Sequence, residues 1–280
     1  MIALASQLKK FVVKAFNKAR QALPDYSHKN SPKKFTQHQH AVILMPKKKF
    51  KTTYRDVTDY LSEMADIQKT IGLSGAPHYT TIQKFFRRIS EFNLLSLIEA
   101  YSCKVIAVDS TGFPAYSSGY YGKIAGKSRK KRYQKMSIAI DCKRQTILNC
   151  IPAIGYRHDS KFFIPLTEDL DAKYFIGGKG YDSTENIIHA ASKNARALIA
   201  IKDNVKTGIR KQLKEENKKF SRICHRRSLA ETVMFVIKRK FGDAVYSRCY
   251  GLLRKEILLN AVCYNVYREI NRLITSFLQG

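Results

Sequence analysis

The chain has 280 residues and a hydrophobic fraction of 44%, which is enough to form a core and excludes global disorder. Its 51 Lys and Arg against 22 Asp and Glu leave a formal net charge of +29. Such an excess favours a polyanionic partner, above all nucleic acid, although a lysine-rich proteome would also explain it. Because no apolar run approaches the roughly 20 residues of a membrane span, we expect no membrane partner.

The six cysteines form no C-x-x-C pair and show no zinc-ligand spacing, so they predict neither structural zinc nor disulfides. Lysines interrupt the apolar start of the chain, MIALASQLKKFVVKAF, which makes it a poor signal peptide. We therefore expect an intracellular protein.

The first part of the chain, residues 1–100, predicts a small helical domain. Apolar residues recur with helical spacing over 54–71, and a second helix is predicted over 82–97 with Arg87 and Arg88 on its exposed side. This pair is compatible with a helix–turn–helix that binds DNA and equally with a plain helical packing domain.

From residue 101 to 280 the pattern changes to alternating strands and helices. The predicted elements are a strand over 104–108, a hairpin of strands 136–141 and 146–151, a helix over 161–170, a strand over 173–176, a helix over 183–193, a strand over 197–201, and helices over 229–241 and 256–277. A polar, lysine-rich segment, 202–226, carries no predicted element. This is the element order of a ribonuclease H-like α/β domain, in which helices flank a mixed sheet.

Two carboxylates stand out in this second part. Asp109 directly follows the strand 104–108, where oxygen ligands often hold a divalent cation, but it also suits the start of a turn, Asp-Ser-Thr-Gly. Glu231 lies between Arg227 and Lys238 at spacings of four and seven, so the three side chains can share one side of a helix. Glu231 also fits a capping box with Ser228.

The segment 114–135 is rich in bases and tyrosines, and includes Lys130, Lys131 and Arg132. Bases suit phosphates, and rings suit stacking or sugar contacts, so we interpret this segment as a DNA-binding surface. A solvated loop is the alternative.

Four motifs together resemble the DDE-class transposases of bacterial and archaeal insertion sequences, which have a ribonuclease H-like core. The resemblance runs from about Val105 to Gly242. The motifs are Val-Asp109-Ser-Thr-Gly-Phe, Gly155-Tyr-Arg-His-Asp159-Ser, Gly178-Lys-Gly-Tyr-Asp182-Ser and Arg227-x3-Glu231-x6-Lys238.

The resemblance implies a role for each matching residue. Asp109 takes the place of the first metal ligand and Glu231 that of the third acid, while Arg227 and Lys238 take the places of bases that touch DNA. Gly178 stands where the family has its second catalytic Asp. Cys224 stands where the family signature has a Tyr.

The family's chemistry implies two divalent ions, Mg²⁺ or Mn²⁺, held by three carboxylates, and double-stranded DNA as partner at the element ends and the target. It also implies a homodimer or higher oligomer on DNA, in a prokaryotic cytoplasm and associated with the nucleoid. Since Gly178 lacks the second carboxylate, we expect impaired catalysis unless Asp182 or Asp159 replaces it. A non-catalytic DNA-binding remnant and a ribonuclease H-like nuclease or resolvase are the alternative functions.

Overall fold

The computed structural model describes residues 6–115 and 133–278, and of 273–278 it describes the backbone alone. The basic residues Lys130, Lys131 and Arg132 lie outside the described residues. Among the residues described, no helix has the length and apolar character that crossing a membrane requires.

The chain divides into two compact units. The first comprises the chain up to Leu97, residues 240–242 and the chain from Leu258 onward, while the second comprises 98–239 and 243–257. The end of the chain therefore groups with the N-terminal helices. Within this first unit Glu269 accepts ion pairs from Lys14 and Lys18, at 2.8 and 2.7 Å.

The first unit is helical, as the sequence predicts. Its helices before residue 98 are α1 (Gln7–Ala22), α2 (Gln37–Phe50), α3 (Tyr54–Glu63), α4 (Ala65–Thr70), α5 (Tyr79–Arg88) and α6 (Glu91–Leu95). The single helix predicted over 54–71 is broken at Met64, whose backbone is not helical. The break is stabilised by Gln68, whose side-chain amide donates to the carbonyls of Leu61 and Ser62. The helix predicted over 82–97 is likewise two helices, since Ser90 caps a new one.

The second unit contains a five-stranded mixed sheet. Its strands are β1 (Cys103–Pro114), β2 (Tyr133–Asp141), β3 (Thr146–Ile154), β4 (Ala172–Gly177) and β5 (Arg196–Ile199). They lie in the order β3-β2-β1-β4-β5. The β1–β2 and β2–β3 pairs are antiparallel, and the β1–β4 and β4–β5 pairs are parallel. The hairpin and the mixed sheet are thus confirmed.

Helices flank this sheet and continue to the end of the chain. They are α7 (Ser160–Thr167), α8 (Thr184–Ser192), α9 (Gly208–Asn217), α10 (Ser221–Cys224), α11 (Ser228–Phe241) and α12 (Tyr250–Leu278). The lysine-rich segment 202–226 therefore contains helices that its polar composition did not predict. One side of the sheet is closed by a core that includes Phe163, Phe175 and Tyr181, all almost fully buried.

Candidate active site

Asp109 lies on the central strand, at the point where the parallel pairing of β1 with β4 ends. The last paired residues of the two strands are Val108 and Gly177. Position 109 directly follows Val108 and position 178 directly follows Gly177, so both lie at the same edge of the sheet. The strand itself continues, because β1 pairs with β2 as far as Pro114. Asp109 is therefore inside a strand, and the expectation of a turn over Asp-Ser-Thr-Gly is wrong.

The carboxyl group of Asp109 is partly withdrawn from water and surrounded by charged groups. Burial raises its pKa to about 6, and the negative charges of Glu231 and Asp159 act in the same direction. The Ser110 backbone N–H and the Arg227 guanidinium oppose this rise. Four of the residues singled out from the sequence thus lie within electrostatic reach of one another.

Arg227 connects position 178 with Glu231. A Cβ atom built on Gly178 would lie 3.4 Å from Arg227 Nη1. The same Nη1 atom is 2.9 Å from Glu231 Oε1. The structure therefore brings Asp109, Gly178 and Glu231 together around one guanidinium, although their chemical roles stay a prediction.

Glu231 owes its position to the packing of α11. Ala230, Val233 and Ile237 are buried, so the helix presents Glu231 on its other side, where the side chain is 53% exposed. The capping box is not formed, because Ser228 is itself helical and its hydroxyl donates to the His225 carbonyl at 2.9 Å. Glu231 instead pairs with Arg227 one turn earlier.

Lys238 lies two turns beyond Glu231 on α11. Its Nζ atom is 5.3 Å from the centre of the Phe113 ring, on the same strand as Asp109. Burial lowers the pKa of Lys238, and the nearby Asp243 carboxylate opposes the shift. The ammonium group thus lies over the face of the ring, in a cation–π contact.

The two acids considered as substitutes for the missing carboxylate have different surroundings. Asp182 is enclosed: Arg210 donates to both of its oxygens, and the Lys202 backbone N–H donates to Oδ2 at 2.9 Å. Asp159 pairs with Lys135 Nζ at 2.7 Å and acts on the pKa of Asp109. A Cβ atom on Gly180 would be only 3.0 Å from Asp159 Oδ2, so the absence of a side chain at position 180 leaves room for this carboxylate.

A hydroxyl chain beside Asp109 was not anticipated from the sequence. The Ser110 hydroxyl lies 2.8 Å from Ser137 Oγ on β2 and 2.8 Å from the hydroxyl of Tyr181. Tyr181 is buried, and burial raises its pKa far above the ordinary value for a phenol. The tyrosine therefore stays protonated and ties the loop after β4 to the strand that carries Asp109. Ser110 and Tyr181 both belong to the motifs quoted above, but the motifs do not show that the two side chains are in contact.

Cys224, at the place of the signature Tyr, ends the short helix α10. It is half-buried, and burial raises the pKa of its thiol. The thiol is therefore protonated at neutral pH and offers no negative charge to the site.

The metal-binding capacity of the site depends on its oxygen donors. The carboxylates of Asp109 and Glu231 are the hard ligands that Mg²⁺ takes. Across the described parts of the chain, however, no group of three or more His, Cys, Asp or Glu side chains is arranged to hold a metal ion. Glycine at position 178 supplies no side-chain donor.

The sheet order β3-β2-β1-β4-β5, with an acid on the central strand and another on the helix that follows the sheet, defines a ribonuclease H-like domain. Residues 102–266, more than half of the chain, match the family described as Transposase DDE domain, and the chain belongs to this family. The DDE-class assignment and the enzyme class are thereby confirmed. Members of this family cleave and transfer DNA and use divalent metal ions.

One solved structure with a similar fold is the piggyBac transposase synaptic complex with hairpin DNA. The two chains are 10% identical, and the match covers 97% of this chain and 74% of the other, with a TM-score of 0.51. At this identity the likeness shows the fold alone. No curated protein matches the sequence at a significant level.

Proposed function

We propose that this protein binds the ends of an insertion sequence and that Asp109, position 178 and Glu231 form its catalytic site for strand cleavage and transfer. The single observation that carries the assignment is the position of Arg227. It contacts Glu231, borders position 178 and acts on the pKa of Asp109. Membership of the family supports the reaction class.

The proposed partner is double-stranded DNA, both at the element ends and at the target, with a homodimer or higher oligomer on the DNA. The net charge of +29 supports a polyanionic partner, and the similar structure is a synaptic complex with DNA. We assign phosphate contacts to Arg227 and Lys238, and also to Lys130, Lys131 and Arg132. We place the protein in the cytoplasm of a prokaryote, on its nucleoid.

We also propose a division of labour along the chain. Residues 1–100 grip the element ends, and residues 101–280 carry the catalytic site. The helical make-up of the first segment and the extent of the family match, 102–266, support this division.

The proposed metal is Mg²⁺, with Mn²⁺ as a substitute. In this chain Asp109 and Glu231 are two of the three carboxylates that hold two ions in the family's chemistry, so we propose that catalysis is impaired. Asp182 is a poor replacement, since Arg210 and Lys202 already occupy its oxygens. Asp159 is the better candidate, because it acts on Asp109 and is partly exposed.

A second candidate function is a DNA-binding remnant without catalysis, which Gly178 favours. The Arg227 guanidinium borders the position of the missing carboxylate, so the site offers a cation there instead of a metal ligand. Such a protein would occupy element ends without cutting them. A nuclease or resolvase, unlike a transposase, would cleave DNA but give no joined product in a strand-transfer assay.

The decisive experiment is Gly178→Asp. The added Cβ makes ordinary contact with Arg227, so a side chain at position 178 begins beside a counter-ion. We expect cleavage of element-end DNA with Mg²⁺ to rise about 100-fold or more, the order of effect of a positioned catalytic group. DNA affinity should stay within about threefold, because few phosphate contacts depend on the side chain at this one position.

Gly178→Asn is the matched control, since it adds nearly the same volume without charge and should not restore cutting. Asp109→Ala in both backgrounds tests whether any cleavage depends on this site. Strong Asp109-dependent cleavage by the Gly178 protein would contradict the impairment and would transfer the role to another acid, with Asp159→Asn as the next variant.

A further inference from the structure

Helix α5 in the first unit has two distinct sides. Ile82, Phe85 and Phe86 are almost fully buried and attach the helix to its neighbours. Lys84 and Arg88, four residues apart, are exposed on the opposite side. The packing of the helix therefore uses only its apolar side and leaves the other available.

The exposed side lines an open recess of about 310 Å³. Its lining consists of Thr81, Lys84, Arg87 and Arg88, that is, one hydroxyl and three cations. Protein-binding surfaces have apolar and aromatic centres, and this recess has none. Its chemistry fits phosphate oxygens, which bind Arg, Lys and Thr side chains.

A further cation lies near the start of the helix. Arg55 on α3 donates to the hydroxyl of Tyr79 at 3.3 Å, and its guanidinium lies 4.8 Å from the centre of the Tyr79 ring. The tyrosine thus holds an exposed arginine beside the first turn of α5. Arg55 does not line the recess, and its guanidinium adds a cation near the other end of the helix.

Helix electrostatics explain only part of this arrangement. Cations in the last turn, such as Arg87 and Arg88, stabilise a helix through its dipole by about 0.3–1 kcal/mol. Lys84 is in the middle of the helix and Arg55 is on another helix, so the dipole accounts for neither. What Lys84, Arg87 and Arg88 have in common is the recess that they line.

We propose that Thr81, Lys84, Arg87 and Arg88, the α5 basic face, bind the phosphate backbone of double-stranded DNA. None of these residues belongs to the site around Asp109, and the inference rests on the proposed function in that the partner is the DNA of the transposition reaction. A helix about 10–12 Å in diameter fits a major groove about 12 Å wide. From Thr81 to Arg88 the helix rises about 10 Å, a length over which duplex DNA presents about six phosphate charges.

The test compares Lys84→Gln/Arg88→Gln with Lys29→Gln/Lys33→Gln in the full-length protein. Lys29 and Lys33 are exposed residues of the same unit, so both variants lose two charges. Binding of a fluorescent 30-base-pair duplex is measured by anisotropy over a range of salt concentrations. Loss of two phosphate contacts should flatten the log–log salt dependence by about 2 and weaken binding about tenfold at moderate salt. The Lys29/Lys33 variant should keep the slope of the wild type.

Two further variants separate charge from folding. Lys84→Arg/Arg88→Lys keeps both charges and should bind like the wild type, while Lys84→Glu, at an exposed mid-helix position, should weaken binding more than Lys84→Gln. Thermal unfolding followed by circular dichroism identifies any variant that does not fold. Unchanged affinity and slope in Lys84→Glu, with the wild type binding DNA, would overturn the proposal and leave the proposed function standing.

A wild-type protein that does not bind duplex DNA even at low salt would instead defeat the proposed function itself. If the α5 variants lose binding to an acidic peptide or an anionic vesicle but not to duplex DNA, the surface belongs to a different partner and the proposal is wrong.

Discussion

Asp182 is a motif residue whose observed contacts all join segments of the fold. Its side chain is completely buried, and two side-chain hydrogen bonds from Arg210 and one backbone hydrogen bond from Lys202 satisfy its oxygens. Burial alone would raise the pKa of Asp182, but these hydrogen bonds hold it below the ordinary value. The carboxylate joins the loop after β4 to the segment that leads to Glu231, and so keeps position 178 in place.

We expect Asp182→Asn to lower the free energy of unfolding by about 2–4 kcal/mol, because it leaves Arg210 with a neutral partner in a largely buried place. The measurement is urea unfolding at pH 7. A group whose pKa is depressed by folding contributes its stability above its unfolded pKa, so the difference from wild type should shrink as the pH falls below about 4.

Asp203→Asn is the matched control, because Asp203 also pairs with a cation, Lys179, but is 80% exposed. Solvent screens such an exposed pair, so this change should have little effect on stability. If the two substitutions lowered the free energy of unfolding equally, the buried contacts of Asp182 would stabilise the protein no more than a surface ion pair does.

At the scale of the strands, Tyr133 lies at the start of β2, beside the Gly155 motif. Its ring covers Gly112 on β1, and its hydroxyl donates to the Gly155 carbonyl at 2.6 Å. A Cβ atom on Gly155 would come within 2.2 to 2.4 Å of ring atoms. The glycine is thus needed for the close approach of an aromatic ring, which explains a glycine at the start of the motif that contains Asp159.

We expect Gly155→Ala to destabilise the protein by about 1–3 kcal/mol, since the ring must leave its place and lose its hydrogen bond. In a Tyr133→Ala background the same change should cost almost nothing, so the two mutations should be strongly non-additive in a double-mutant cycle. Gly75→Ala, where nothing lies within 4 Å of the added atom, controls for the effect of alanine itself. Additive effects would show that the ring does not restrict this position.

The sequence predicts the strands well because each is a short apolar run between polar turns. It predicts the end of β1 poorly: Asp109 to Gly112 look like a turn, and only their pairing with β2 makes them a strand. The same limit applies to Asp182, whose partner Arg210 is 28 residues away, and to α9, which has no buried residue to give it an apolar stripe. Contacts between distant segments decide these features, and local patterns do not contain them.

The candidate site was predictable to the extent that motifs name single residues. Asp109, Gly178 and Glu231 were all located from the sequence, and the structure brings them together. The position of Arg227 between Gly178 and Glu231 was not predictable, because it depends on how α11 packs against the sheet. Spacing puts Arg227 and Glu231 on one side of a helix but does not show what that side faces.

For the whole molecule, the net charge of +29 is a source of self-repulsion that a polyanion would relieve. Many of the described carboxylates already form ion pairs with cations of the protein. Examples are Glu269, Asp159, Asp182 and Glu231. With 22 acidic against 51 basic residues, carboxylates cannot compensate all of the positive charge, however they are paired. The protein should accordingly be least stable in low salt without a ligand.

We expect the thermal midpoint to rise when NaCl is increased from low to moderate concentration, because added ions screen the like charges. At low salt, duplex DNA at about 100 times its Kd should add about 2.7 kcal/mol, since it binds the folded protein. For a chain of this size that corresponds to a rise of roughly 5–10 °C. Gly178→Asp should show the same rise, because the phosphate contacts do not depend on position 178, whereas an uncharged dextran should have little effect. Circular dichroism melts of both proteins make the measurement, and a midpoint that falls steadily with salt would mean that internal ion pairs outweigh the repulsion.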